Sequence, residues 1–77
     1  MSERIKIVSL LEWLKSATEE QIESTGTTIG MLRQIGGGHR IASPKTAALI
    51  ELVSAGAVSR QELRQEDWSV IWPELAA

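Results

Sequence analysis

Seventy-seven residues, 43% hydrophobic and 23% charged, suffice for a single domain over 1–77 and are too apolar for a disordered tail. The absence of cysteine excludes disulfides, thiolate zinc sites and thiol catalysis together, and no apolar run approaches the roughly 18 residues of a membrane span. The net charge of −2 is unevenly spread: residues 1–26 sum to −2 and 51–77 to −3, whereas 27–50 hold Arg33, Arg40, Lys45 and His39, contain no acid, and stand at +3.

Arg4-Ile5-Lys6-Ile7-Val8 alternates like a short strand and equally fits an early helical turn. Ser9 with Glu12 reads as a capping box, flanked by Val8 and Trp13 as a hydrophobic staple, and predicts a first helix from about Ser9 to Ser16. Its apolar side is Leu10, Leu11 and Leu14 beside Trp13. Thr18 with Gln21 is a second capping box, and Glu19 and Glu20 suit the positive end of a second helix that runs to about Thr25. Gly26 stops that helix. Thr27 or Thr28 caps a third, with Ile29, Leu32 and Ile35 on one side and Gly36-Gly37-Gly38 as its end.

Ser43 as cap, Pro44 at the first helical position and Gly56 just past the end enclose a fourth helix, the most apolar in the chain. Ser59 with Glu62 predicts a short fifth helix through Arg64, and Trp68, Val70, Ile71 and Trp72 form an aromatic tail closed by Pro73. About five short helices and no required strand define an all-α class.

Within it, two short helices around a Gly-containing turn over about 18–37, followed by a basic loop, predict a helix-turn-helix, the second helix entering the major groove of DNA. Leu32 and Ile35 face inward, which turns Thr28, Gly30, Met31, Arg33 and Gln34 outward. Arginine pairs bidentately with guanine and glutamine with adenine, so Arg33 and Gln34 are the expected base readers, with Gly30 permitting close approach. A solvated surface is the alternative reading of the same two side chains.

The run Gly26-Thr27-Thr28-Ile29-Gly30-Met31-Leu32-Arg33-Gln34-Ile35, then Gly38-His39-Arg40, Ser43-Pro44, Gly56 through Arg64, Trp68 and Ile71-Trp72-Pro73-Glu74-Leu75, resembles phage Cro-like and YdaS-type helix-turn-helix regulators. The resemblance covers nearly the whole chain. It implies a Cro/repressor-like fold and a sequence-specific transcriptional regulator of prophage type, a repressor acting as a dimer on a palindromic double-stranded operator, with some relatives acting as antitoxins. It also implies base contacts from Thr28, Ile29, Gly30, Arg33 and Gln34. Phosphate contacts follow from Thr18, Thr27, His39, Arg40, Ser43 and Lys45, Ser43 together with the amides that open the fourth helix. Such relatives carry more apolar residues where this chain has Ser24 and Thr25, and Leu-Arg-Pro-Asp where it has Leu63-Arg64-Gln65-Glu66-Asp67, which predicts a looser second helix and a looser turn.

His39 is alone, so neither a histidine metal site nor a catalytic triad is expected, and Glu19, Glu20 and Glu23 read as a solvated face. No enzyme activity, cofactor or metal is expected. Trp68 and Trp72, four apart, close the small core or supply a dimer interface, where tryptophan is enriched. A domain this small buries only about 60% of its unfolded surface, which favours a homodimer. A cysteine-free chain with no leader-like opening segment is expected in the cytoplasm and off the membrane. The competing expectation is an antitoxin or protein–protein adaptor whose ligand is a toxin or another protein, bound through the acidic ends and the tryptophans.

Overall fold

The computed structural model describes residues 6–76, and among them every regular element is helical. In chain order these are α1 (Val8–Leu14), α2 (Glu19–Ser24), α3 (Ile29–Gly36), α4 (Pro44–Val53), α5 (Arg60–Leu63), α6 (Trp68–Ile71) and a closing 3₁₀ turn over Pro73–Ala76. The all-α class and the helix-turn-helix near 18–37 are therefore present, with residues 25–28 joining α2 to α3. The expectation of about five helices is exceeded by one. The segment read as an aromatic tail coils into α6 because the Asp67 carbonyl accepts from Val70 and Ile71, both at 3.0 Å.

Local capping chemistry explains most of the boundaries. The Thr18 hydroxyl accepts from Gln21 N at 3.2 Å while Gln21 Oε1 accepts from Thr18 N at 2.8 Å, a complete capping box on α2. Ser59 and Glu62 do the same for α5, and Ser43 caps α4 ahead of Pro44. Thr28, not Thr27, caps α3.

The first helix departs from expectation. It starts at Val8 with Ile7 as a cap that makes no side-chain bond, so Ser9 lies inside it and no Ser9–Glu12 box forms. Val8 is 63% exposed and cannot staple Trp13. The entry to α1 is fixed instead by tertiary contact: Ile7 is buried and its N–H donates to the Gly36 carbonyl at 2.8 Å. Of the alternating segment 4–8, Arg4 and Ile5 lie outside the described residues, and the described part is not a strand.

The core gathers Ile7, Leu10, Leu32, Ile35, Ala42, Ala47, Ile50, Val58 and Leu63, contributed from both ends of the chain. Helix α1 packs on α3, and α4 packs on α2 and α5. Thr25, expected to loosen the second helix, is fully buried with its hydroxyl donated to the Ile22 carbonyl, so the polar atom is satisfied where it sits.

The three glycines expected to stop α3 do three different things. Gly36 is the last helical residue, and a Cβ there would stand 2.7 Å from Leu11 Cδ2, so it is a contact point for α1. Gly37 is tightly seated, 3.1 Å separating a Cβ from the His39 ring. Only Gly38 is the stop: at φ +83 it lets its own N–H reach the Ile35 carbonyl and that of His39 reach Gln34, a Schellman closure. The same closure ends α4, where Ala55 at φ 54 and the expected Gly56 at φ 87 are both left-handed, and Gly56 N donates to the Glu51 carbonyl at 3.0 Å.

Candidate nucleic-acid interface

Because Leu32 and Ile35 are 0% and 2% exposed, α3 is seated by one stripe and its opposite side is open. That side and its cap present Thr28, Ile29, Gly30, Arg33 and Gln34, all exposed, so the five expected base-contact positions lie together on α3 and its N-cap. Met31, expected outward, is half-buried against the core and leaves this set. A Cβ on Gly30 would meet only Thr28 Oγ1, at 3.9 Å, so nothing inside the protein demands a glycine there.

Past the Schellman turn the chain exposes His39 and Arg40, and Lys45 stands exposed in the first turn of α4. With Arg33, the exposed Arg40 and Lys45 carry the +3 charge of the acid-free stretch 27–50. Arg40 Nε donates to Gln34 Oε1 at 2.8 Å, joining the loop to the open side of α3 across six residues.

Thr18 and Ser43 have less to offer a phosphate. The oxygen and the N–H of Thr18 are both used in its capping box, and exposed Glu19 and Glu20 stand next to it. The Ser43 hydroxyl accepts from Thr46 N at 3.2 Å and donates to Thr46 Oγ1 at 3.0 Å. Pro44 brings no N–H, so the amides that open α4 reduce to that of Lys45. Thr27 is half-buried in the turn.

Near the C-terminus Trp72 packs against the core, and Arg60 stacks on its ring at 5.2 Å from the centroid. The same Arg60 places Nε 3.0 Å from Glu51 Oε1, an ion pair off the line of a hydrogen bond, while its backbone N–H donates to Glu51 Oε2 at 3.0 Å. Trp72 thus serves the core. Trp68 is half-buried, and Val70 beside it is 80% exposed.

Two side chains that look superficial in sequence bind the ends together. Arg64 donates from Nε to Asp67 Oδ1 at 3.0 Å and from Nη1 to the Ala42 carbonyl at 2.8 Å, which tightens the turn expected to be loose. The Arg64 hydrogen bond holds the Asp67 carboxyl below its usual range, with the charge of the same group assisting. Ser9 donates to Glu62 Oε2 at 2.7 Å, and this bond, helped by Ser59 and opposed by burial, lowers the Glu62 pKa. The two long-range pairs have no sequence signature, since 53 residues separate Ser9 from Glu62 and 22 separate Arg64 from Ala42.

Among the described residues no group of three or more histidine or carboxylate side chains is placed to hold a metal ion, and no helix is long and apolar enough to cross a membrane. No protein-family model matches the chain, and no curated protein matches it.

Proposed function

We propose that this chain is a sequence-specific double-stranded DNA-binding regulator, a helix-turn-helix module of the phage Cro-like and YdaS-type kind rather than an enzyme. The observation that carries the reading is the open side of α3: Arg33 and Gln34 stand exposed over a buried Leu32/Ile35 stripe, followed in the chain by exposed His39, Arg40 and Lys45 with no acid between 27 and 50. Such a helix fits a major groove, its side chains reach base edges, and the side chains that follow it meet phosphates. On this reading Arg33 and Gln34 read bases, Arg40, Lys45 and His39 set the register, and Gly30 lets the helix approach the base edges closely. The protein acts as a cytoplasmic homodimeric repressor on a two-fold symmetric operator, without cofactor.

The test is selection of bound duplexes from a random pool at moderate salt, read by sequencing. A symmetric motif supports the proposal and fixes the half-site spacing; a folded protein that enriches nothing overturns it. Arg33→Ala is expected to relax preference by about 1–3 kcal/mol at one base pair, whereas Lys45→Ala weakens every sequence alike and lowers the salt slope by about one. Equal loss of specific and random binding in both variants removes the role assignment.

A second reading, an antitoxin or adaptor that binds a protein, is favoured by the exposure of Val70 at 80% and Leu52 at 74% near the half-buried Trp68 and the C-terminal end of α4 respectively. Salt separates the two: DNA binding weakens steeply between about 50 and 200 mM, and an apolar interface does not.

A further inference from the structure

We infer that Arg64 is a positioning residue for DNA binding: from the turn between α5 and α6 it holds the backbone that carries Arg40 to its phosphate, and it touches no nucleic acid itself; this rests on the DNA-binding reading above. The segment from His39 to Ser43 joins the end of α3 to the cap of α4. His39, Arg40, Ile41 and Ser43 are exposed, and only Ala42, at 1%, reaches the core. His39 N is used in the Schellman closure and the Ser43 carbonyl opens the α4 ladder, but among the described residues no backbone–backbone hydrogen bond involves Arg40, Ile41 or Ala42. The backbone of these three receives one side-chain bond, from Arg64 Nη1 to the Ala42 carbonyl at 2.8 Å.

Arg64 gives that bond a fixed direction. Its Nε and Nη2 are both taken by the Asp67 carboxylate, a bidentate pair that sets the plane of the guanidinium and leaves Nη1 for Ala42. With its side chain 18% exposed and all three nitrogens engaged by these two acceptor groups, Arg64 is committed to the protein. Asp67 makes no side-chain capping bond to α6, so its carboxylate serves Arg64. A loop held in place before its ligand arrives has little conformational freedom left to lose on binding, and three backbone residues released from their one bond have more.

The experiment measures affinity for the duplex that the wild type selects, using Arg64→Ala, Asp67→Ala, Arg40→Ala and the two double variants that add Arg40→Ala to either of the first two. Each is measured at a temperature where circular dichroism shows it folded. Arg64→Ala is expected to bind about tenfold more weakly while the selected bases stay the same. Asp67→Ala is expected to weaken binding as well, although loss of an acid favours DNA by charge alone. In the Arg40→Ala background both losses shrink to less than about twofold, because the contact that Arg64 positions is already gone. A general loss of stability does not depend on Arg40 in this way. Wild-type affinity in folded Arg64→Ala overturns the inference, as do losses that multiply undiminished in the double variants, the mark of an independent contact. Asp67→Ala that binds as well as the wild type or better also overturns it, and this variant with its double carries the test if Arg64→Ala does not fold. Each of these results leaves the DNA-binding reading standing. A wild type that enriches no duplex removes both.

Discussion

Two glycines of α3 have opposite reasons to be there, and single substitutions separate them. At Gly36 an added Cβ would stand 2.7 Å from Leu11 Cδ2 and 3.0 Å from its Cγ, so Gly36→Ala forces the Leu11 side chain out of its place between α1 and α3. A loss of about 1–3 kcal/mol is expected in denaturant unfolding. At Gly30 the space is open, and the glycine costs the helix interior roughly 0.5–1 kcal/mol relative to alanine. Gly30→Ala is therefore expected to stabilise the fold by about that amount while weakening DNA binding; gain of stability with unchanged affinity would show that no ligand approaches this point. The sequence exposes three consecutive glycines and a stop signal, but not which glycine stops the helix. That depends on where Leu11 arrives, a contact across 25 positions of chain that no local pattern encodes.

The helices divide sharply between those whose ends are written locally and those placed by distant contact. α2, α4 and α5 begin where Thr18, Ser43 and Ser59 say they should, because a cap bonds to an amide only two or three residues ahead. α1 has a capping-box pattern of equal quality and ignores it, since Ser9 finds Glu62 instead and Ile7 is drawn into the core. Much of the open side of α3 was legible for the same reason as the caps: Leu32 and Ile35, three residues apart, face inward, although Ile29 at the same spacing stands 37% exposed in the first turn. Met31 was misread because its flexible side chain reaches back to the core from the margin. The α1–α5 bond has a measurable signature. The Glu62 pKa is lowered when folded, so its contribution is fully present above the ordinary carboxylate range and is lost as pH falls through the folded value. Ser9→Ala is expected to cost about 1 kcal/mol at pH 7, and the difference from wild type narrows as acid protonates Glu62. A wild-type-to-variant gap that does not change with pH would mean that the hydroxyl adds nothing to the charged form.

At the scale of the whole molecule, charge and core are organised by different parts of the chain. The cationic stretch lies in the middle of the sequence, while the core that presents it draws Ile7 and Leu10 from one end and Val58 and Leu63 from the other. Bringing residues 9 and 62 together closes a loop of 53 residues, whose length-dependent entropy is on the order of 3–4 kcal/mol and is recovered only when both ends are packed. A chain cut after Val58 loses Leu63, the Glu62 partner of Ser9 and the Arg64 bridge to Ala42 at one stroke. It is expected to show no cooperative thermal transition, and retention of one by circular dichroism would show that residues 1–58 suffice.

Leu32 and Ile35 place α3 among the last parts of the chain to loosen, because a helix anchored by two core side chains opens only when the core does. Whatever meets its outer side encounters a surface already ordered. Association then carries little folding entropy, its heat capacity change reflects surface removed from water and not chain condensed from coil, and discrimination among partners comes from how well they fit a fixed template.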